Sequence, residues 1–171
     1  MRKDTILVPV DYTGCAYEVV ASAADLAGRL KADVVLLYVV KLPAGLPADT
    51  LIHPHGSAEA VKAVEYLDSD AQKHLEPLSN VFVDAGCGVR IALKHGEVVE
   101  AILDVAREVG ASMIIMGTHG RTGLRRIVEG SVAENVMRRA TCPVTTIRTQ
   151  QPEEHPGLTE AQQQALSESA G

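Results

Sequence analysis

The chain has 171 residues, of which 46 % are hydrophobic, 22 % charged and only 3 % aromatic, with no Trp and a single Phe, Phe82. That length suits one domain with a substantial core of its own, and the core must be Val, Ile, Leu and Ala, as in a buried parallel sheet covered by Ala-rich helices. A net charge of −6 argues against a general nucleic-acid binder, and three scattered cysteines without a CxxC pair argue for a reduced, cytoplasmic setting rather than a disulfide framework.

The N-terminal "MRKDTILVPVD" has an apolar run too short for a signal peptide, and no stretch reaches the roughly 20 apolar residues of a membrane span. Within it, "TILVPV" (5–10) reads as a buried strand with Pro9 near its end. Residues 14–31 repeat apolar positions at helical spacing through Ala16, Val19, Val20, Ala23, Ala24 and Ala27. "DVVLLYVV" (33–40) is a second buried strand. Pro and Gly make 41–57 a long loop, and loops of that length are usually functional or mobile.

Residues 58–79 return to helix, with Val61, Val64, Leu67, Ala71 and Leu75 on one side. "GVRIAL" (88–93) is a third strand, and 96–110 is an amphipathic helix with Gly110 as its left-handed stop. "SMIIMG" (112–117), a helix over 131–140 and "PVTTIR" (143–148) complete the pattern. The alternation predicts one α/β domain over 1–148: a doubly wound, five-stranded parallel sheet with helices on both faces. From Thr149 onward, 149–171 reads as a polar, flexible tail.

One stretch resists a bland explanation. "GTHGRTGLRRIVEGS" (117–131) sets glycines and Arg121, Arg125 and Arg126 together in an acidic protein, where open α/β sheets bind ligands beyond the carboxyl ends of their strands. Ser131 and Glu134 form a capping box, and a helix start with free amides is a ready anion site. Gly117, Gly120 and Gly130 would let a phosphate approach the backbone, with the arginines adding attraction at longer range. The plainer reading is a turn followed by a cap. No Gly-Lys-Ser/Thr follows, so this is not a Walker A loop, and the spacing is not the dinucleotide GxGxxG.

The segment 117–144, "GTHGRTGLRRIVEGSVAENVMRRATCPV", resembles the carboxyl-terminal signature of the universal stress protein family. Gly117, Gly120, Gly130 and Ser131 fill the G-x2-G-x9-G-[ST] pattern of its ATP-binding members, and the resemblance runs over 3–148. It implies the family's Rossmann-like fold, akin to the adenine nucleotide alpha-hydrolases, and ATP as ligand, with or without Mg. Asp11 would meet the ribose or adenine side, Val39 would offer its backbone to the adenine, and Pro9 and Val10 would floor the adenine pocket. Gly117 would line the ribose beside Met116, while Gly120, Gly130, Ser131 and the amide of Val132 would hold the phosphates. The strand entrance departs from the family's usual A-D pair, reading "ASMIIMG" with Ser112, at the end away from the nucleotide.

His119 lies inside the segment, where it reads as a phosphate contact or a solvated loop residue rather than a catalytic group. His53 and His55 read as solvated, not as metal ligands. Cys142 reads as buried rather than reactive. Glu100, Asp104 and Glu108 read as a solvated helix face, with Arg138 and Arg139 opposing the dipole at the end of their own helix. No Ser-His-Asp or paired-carboxylate set emerges, so turnover, if any, is slow. The last strand reads as a sheet edge, and the resemblance implies a homodimer through 143–148. The leading reading is an ATP-dependent switch or adaptor in the stress response, with an unidentified protein partner; the rivals are a nucleotide-independent adaptor of the same fold and a weak ATPase or AMP-type nucleotide binder.

Overall fold

The structure, a computed structural model, describes residues 3–12, 15–43, 45–54, 59–119 and 132–149. In chain order these form β1 (Thr5–Val10), α1 (Ala16–Leu30), β2 (Asp33–Val40), β3 (Leu51–Ile52), β4 (Val61–Lys62) and α2 (Ala63–Asp84). There follow β5 (Val89–His95), α3 (Val98–Val109), β6 (Met113–His119), α4 (Val132–Arg139) and β7 (Val144–Thr149). The main sheet has five strands in the order β5-β2-β1-β6-β7, and every pairing in it is parallel. This is the doubly wound α/β sheet expected of the alternation.

Side-chain alternation along the strands sends neighbouring residues to opposite faces, so a strand buried on both faces must be apolar throughout. Ile6, Val8, Val34, Leu36 and Ile115 pack against α1 and α2, where the alanines of α1 allow close approach and Phe82 is fully buried. Leu7, Val35, Leu37, Val39, Ile114 and Met116 face the other way, toward α3 and α4. α1 and α3 both stop on left-handed residues, Lys31 (φ 52°) and Gly110 (φ 60°). Gly110 thus ends its helix as its residue type anticipates.

Several boundaries differ from the sequence reading. The helix expected over 58–79 begins at Ala63 and continues to Asp84, with Pro77 inside it. Val61 keeps helical spacing with the residues after it, but with Lys62 it pairs antiparallel to Leu51 and Ile52. The described part of the 41–57 loop is therefore tied to the start of α2; Ala63 also donates its N–H to the Thr50 carbonyl at 2.8 Å. β6 runs on to His119, so Gly117 lies within a strand, opposite Ile147, rather than at the start of a loop. Thr149, assigned to the tail, is the last residue of β7 and is buried. Ser112 sits at the amino ends of the strands, where its N–H and Oγ both donate to the Thr5 carbonyl. Among the described residues no helix is long and apolar enough to cross a membrane.

Candidate functional site

The crossover from β1 passes over one face of the sheet and that from β5 over the other, so the strand order reverses between β1 and β6. Helices on opposite faces cannot close the gap at such a point, and a cleft opens beyond the carboxyl ends of the strands. A cavity of about 500 Å³ lies there, lined from β1, β2, β6 and β7 and from α1, α3 and α4. That volume falls within the range of small-molecule sites, about 300–1,000 Å³.

The first strand delivers Pro9 and Val10 and then Asp11, the first residue after its end. From β2 come Leu37, Tyr38 and Val39. Asp33 donates its N–H to the Asp4 carbonyl and Val34 to the Gly88 carbonyl, at 2.9 and 2.7 Å. Odd-numbered residues of β2 therefore turn their backbone groups to β1, and even-numbered ones to β5. The β1 ladder ends at the pair Val10 and Tyr38. Val39 thus turns its carbonyl to the β1 side just past the last pair.

β6 supplies Met116, Gly117 and Thr118, and the start of α4 supplies Val132 and Ala133. Gly117 has a steric reason to be glycine: a Cβ there would lie 2.9 Å from Val19 Cγ2 on α1. Thr118 and Thr149 close the β6–β7 side. Thr149 Oγ1 donates to the Thr118 carbonyl at 3.3 Å, satisfying a hydroxyl that is 1 % exposed.

Pro9, Val10, Asp11, Val39, Met116, Gly117 and Val132, named from the sequence, thus meet around one cavity. Gly120, Gly130 and Ser131, with the capping box and the loop arginines, lie outside the described residues, as does the side chain of His119. So do His55 and the segment from 150 to 171.

Other lining residues escaped the sequence reading. Tyr12 stacks on Tyr38 with ring centroids 4.3 Å apart and 18° between planes. His74, outside the cavity lining, is tilted against Tyr12, its Nδ1 2.9 Å from the Asp70 carbonyl oxygen. Burial, then the neighbouring Tyr38 and Asp70, pushes the Tyr12 phenol well above its ordinary range, and burial likewise raises Tyr38. Lys41 brings a cation to the cavity, and Val98 and Ile102 wall it from α3. The available signal was register: pairing Val10 with Tyr38 carries Tyr12 across to the end of β2.

Elsewhere the helix face of Glu100, Asp104 and Glu108 is exposed as expected, yet each carboxylate is paired, with Arg139, Arg107 and Lys94. Cys142 is half-buried, and burial pushes its thiol up, away from the reactive thiolate.

A doubly wound α/β domain with a cavity at its switch point places the chain in the Rossmann-like fold class. The model of the universal stress protein family matches residues 3–148, and the chain belongs to that family. It is 32 % identical to universal stress protein MJ0531 of Methanocaldococcus jannaschii over 145 residues, covering 84 % of this chain and 81 % of that one. A solved universal stress protein of Burkholderia pseudomallei superposes with a TM-score of 0.61 at 27 % identity, over 84 % of this chain and 95 % of the other. One from Archaeoglobus fulgidus, solved in complex with dAMP, superposes with a TM-score of 0.59 at 25 % identity, over 86 % and 99 %.

Proposed function

We propose that this universal stress protein binds ATP and works as a nucleotide-dependent switch or adaptor, with slow or no hydrolysis, as a cytoplasmic homodimer. The observation that carries the reading is convergence: residues far apart in sequence and on separate elements meet around one cavity at the switch point. The dAMP complex of the Archaeoglobus fulgidus relative supports an adenine nucleotide as the ligand class.

In this reading the apolar slot of Pro9, Val10 and Val39 holds the base, and the Val39 carbonyl accepts from the exocyclic amine of adenine. A carbonyl in place of that amine would set two acceptors against each other, leaving one unsatisfied at a cost of about 1–3 kcal/mol. Asp11 meets the ribose. Phosphates meet the start of α4, where the Val132 amide and the dipole receive negative charge, and Gly120, Gly130 and Ser131 are the motif residues proposed to hold them. An accompanying Mg ion would share that phosphate charge. Holding a nucleotide against a helix start needs no nucleophile, which suits a sensor more than a catalyst.

Calorimetric titration of nucleotide-stripped protein tests this. ATP should bind, Gly120→Val and Gly130→Val should abolish binding, and ITP should bind roughly ten- to hundredfold more weakly than ATP. Equal affinities across these variants and nucleotides would sink the proposed site.

A further inference from the structure

α4 has eight residues and only two of them, Ala133 and Val136, are buried. Val132 and Met137 are exposed at 39 % and 48 %. So short a helix is marginal by itself, and two small apolar anchors give attraction without direction. Contact through Ala133 and Val136 resists detachment, but it leaves sliding and rotation of the helix weakly fixed. Yet Val132 and Ala133 at its start line the cavity, so small displacements of α4 change the wall.

Direction comes from the other end. Arg139, the last residue of α4, donates Nη1 and Nη2 to the two carboxylate oxygens of Glu100 on α3, at 2.6 and 2.9 Å. A planar guanidinium against a planar carboxylate fixes orientation as well as distance, which a single contact does not. Asp104 and Arg107, one and two turns further along α3, are paired with each other and add their charges around the fork. Glu100 sits between Val98 and Ile102, which line the cavity from α3. The fork therefore joins the two helices that wall the same side of the site.

We propose that the Glu100–Arg139 fork is a positioning device that sets the angle and register of α4, and so places the Val132 amide for the phosphate end of the ligand. The inference rests on the nucleotide reading above. It assigns a role to Arg139, which lies about 10 Å along α4 from Val132 by helical rise. Both side chains of the fork are about half exposed, so their effect is modest and local rather than a support of the whole fold.

The test measures ATP and adenosine affinities side by side for wild type, Glu100→Gln, Arg139→Gln, Arg139→Lys and the reciprocal Glu100→Arg/Arg139→Glu pair. ATP affinity should fall roughly three- to fivefold in each Gln variant, less in Arg139→Lys, and recover in the reciprocal pair. Adenosine, which has no phosphate to present to α4, should bind all of them alike. A merely structural role would lower both affinities together and would overturn the proposal. So would unchanged ATP affinity in the Gln variants, or a reciprocal pair no better than the single changes. Wild-type protein that binds neither ligand would instead remove the nucleotide reading, and this inference with it.

Discussion

A Cβ on Gly117 would lie 2.9 Å from Val19 Cγ2, closer than side chains tolerate, and Val19 is buried and stiff. Gly117→Ala should therefore destabilise the domain by about 1–3 kcal/mol, the usual cost of overpacking. Val19→Ala in the same chain should restore part of that loss, and a thermal-melt double-mutant cycle measures it. Additive losses would show that Val19 is not the obstacle. Gly117 was legible as special in the sequence, where its spacing suggested phosphate approach and the family resemblance implied the ribose; the contact with α1 adds a packing reason that only the packing of β6 against α1 reveals. Tyr12 makes a different prediction. Its phenol is held above the ordinary 10.0 by burial first and by Tyr38 and Asp70 next. A pKa raised on folding gives stability that is complete below the unfolded value and is lost as pH climbs through the folded one. Urea midpoints should therefore fall between about pH 9 and about pH 11, and Tyr12→Phe should fall less. Parallel falls in both proteins would place the alkaline sensitivity elsewhere.

Among the elements, α2 departs most from what its sequence suggests. Pro77 lies inside it, where it removes one backbone donor and crowds the carbonyl a turn earlier. Its side is exposed, where the helix can bend away from the core at tolerable cost. Pro77→Ala should raise stability by about 1–3 kcal/mol, seen as a higher Tm; an unchanged Tm would mean that the helix accommodates Pro77 without strain. Strands and helices with strong periodicity were legible because burial on both faces leaves little choice of residue: β1, β2, α1 and α3 lie close to where their apolar patterns put them. The start of α2 was not, because Val61 satisfies the helical period and the short antiparallel pairing with Ile52 is not encoded locally. The site divided in the same way. Asp11 follows an apolar run and could be placed with Gly117 at the carboxyl ends of the strands, and the family resemblance added Val39, whereas Tyr12, Lys41 and Thr149 reach the cavity only through cross-strand register.

At the scale of the whole molecule, β7 is one edge of the sheet, and an open edge is a template for a second copy. Ile114 donates its N–H to the Pro143 carbonyl, so Pro143, Thr145 and Ile147 turn their backbone groups inward, and Val144, Thr146 and Arg148 turn theirs outward. If the homodimer forms through this edge, Thr146→Pro removes an outward donor and leaves the ladder to β6 intact. Light scattering at micromolar concentration should give a dimer for wild type and a monomer for the variant. A wild-type monomer, or a variant that stays dimeric, would place the contact elsewhere or remove it. Such a dimer would present two cavities, and whether they hold nucleotide decides the account. The most direct measurement is to denature freshly purified protein, identify any released small molecule by mass spectrometry, and titrate the stripped protein with ATP. Released ATP, or tight rebinding of it, is the predicted result. Protein that releases no nucleotide and takes up none would contradict the account.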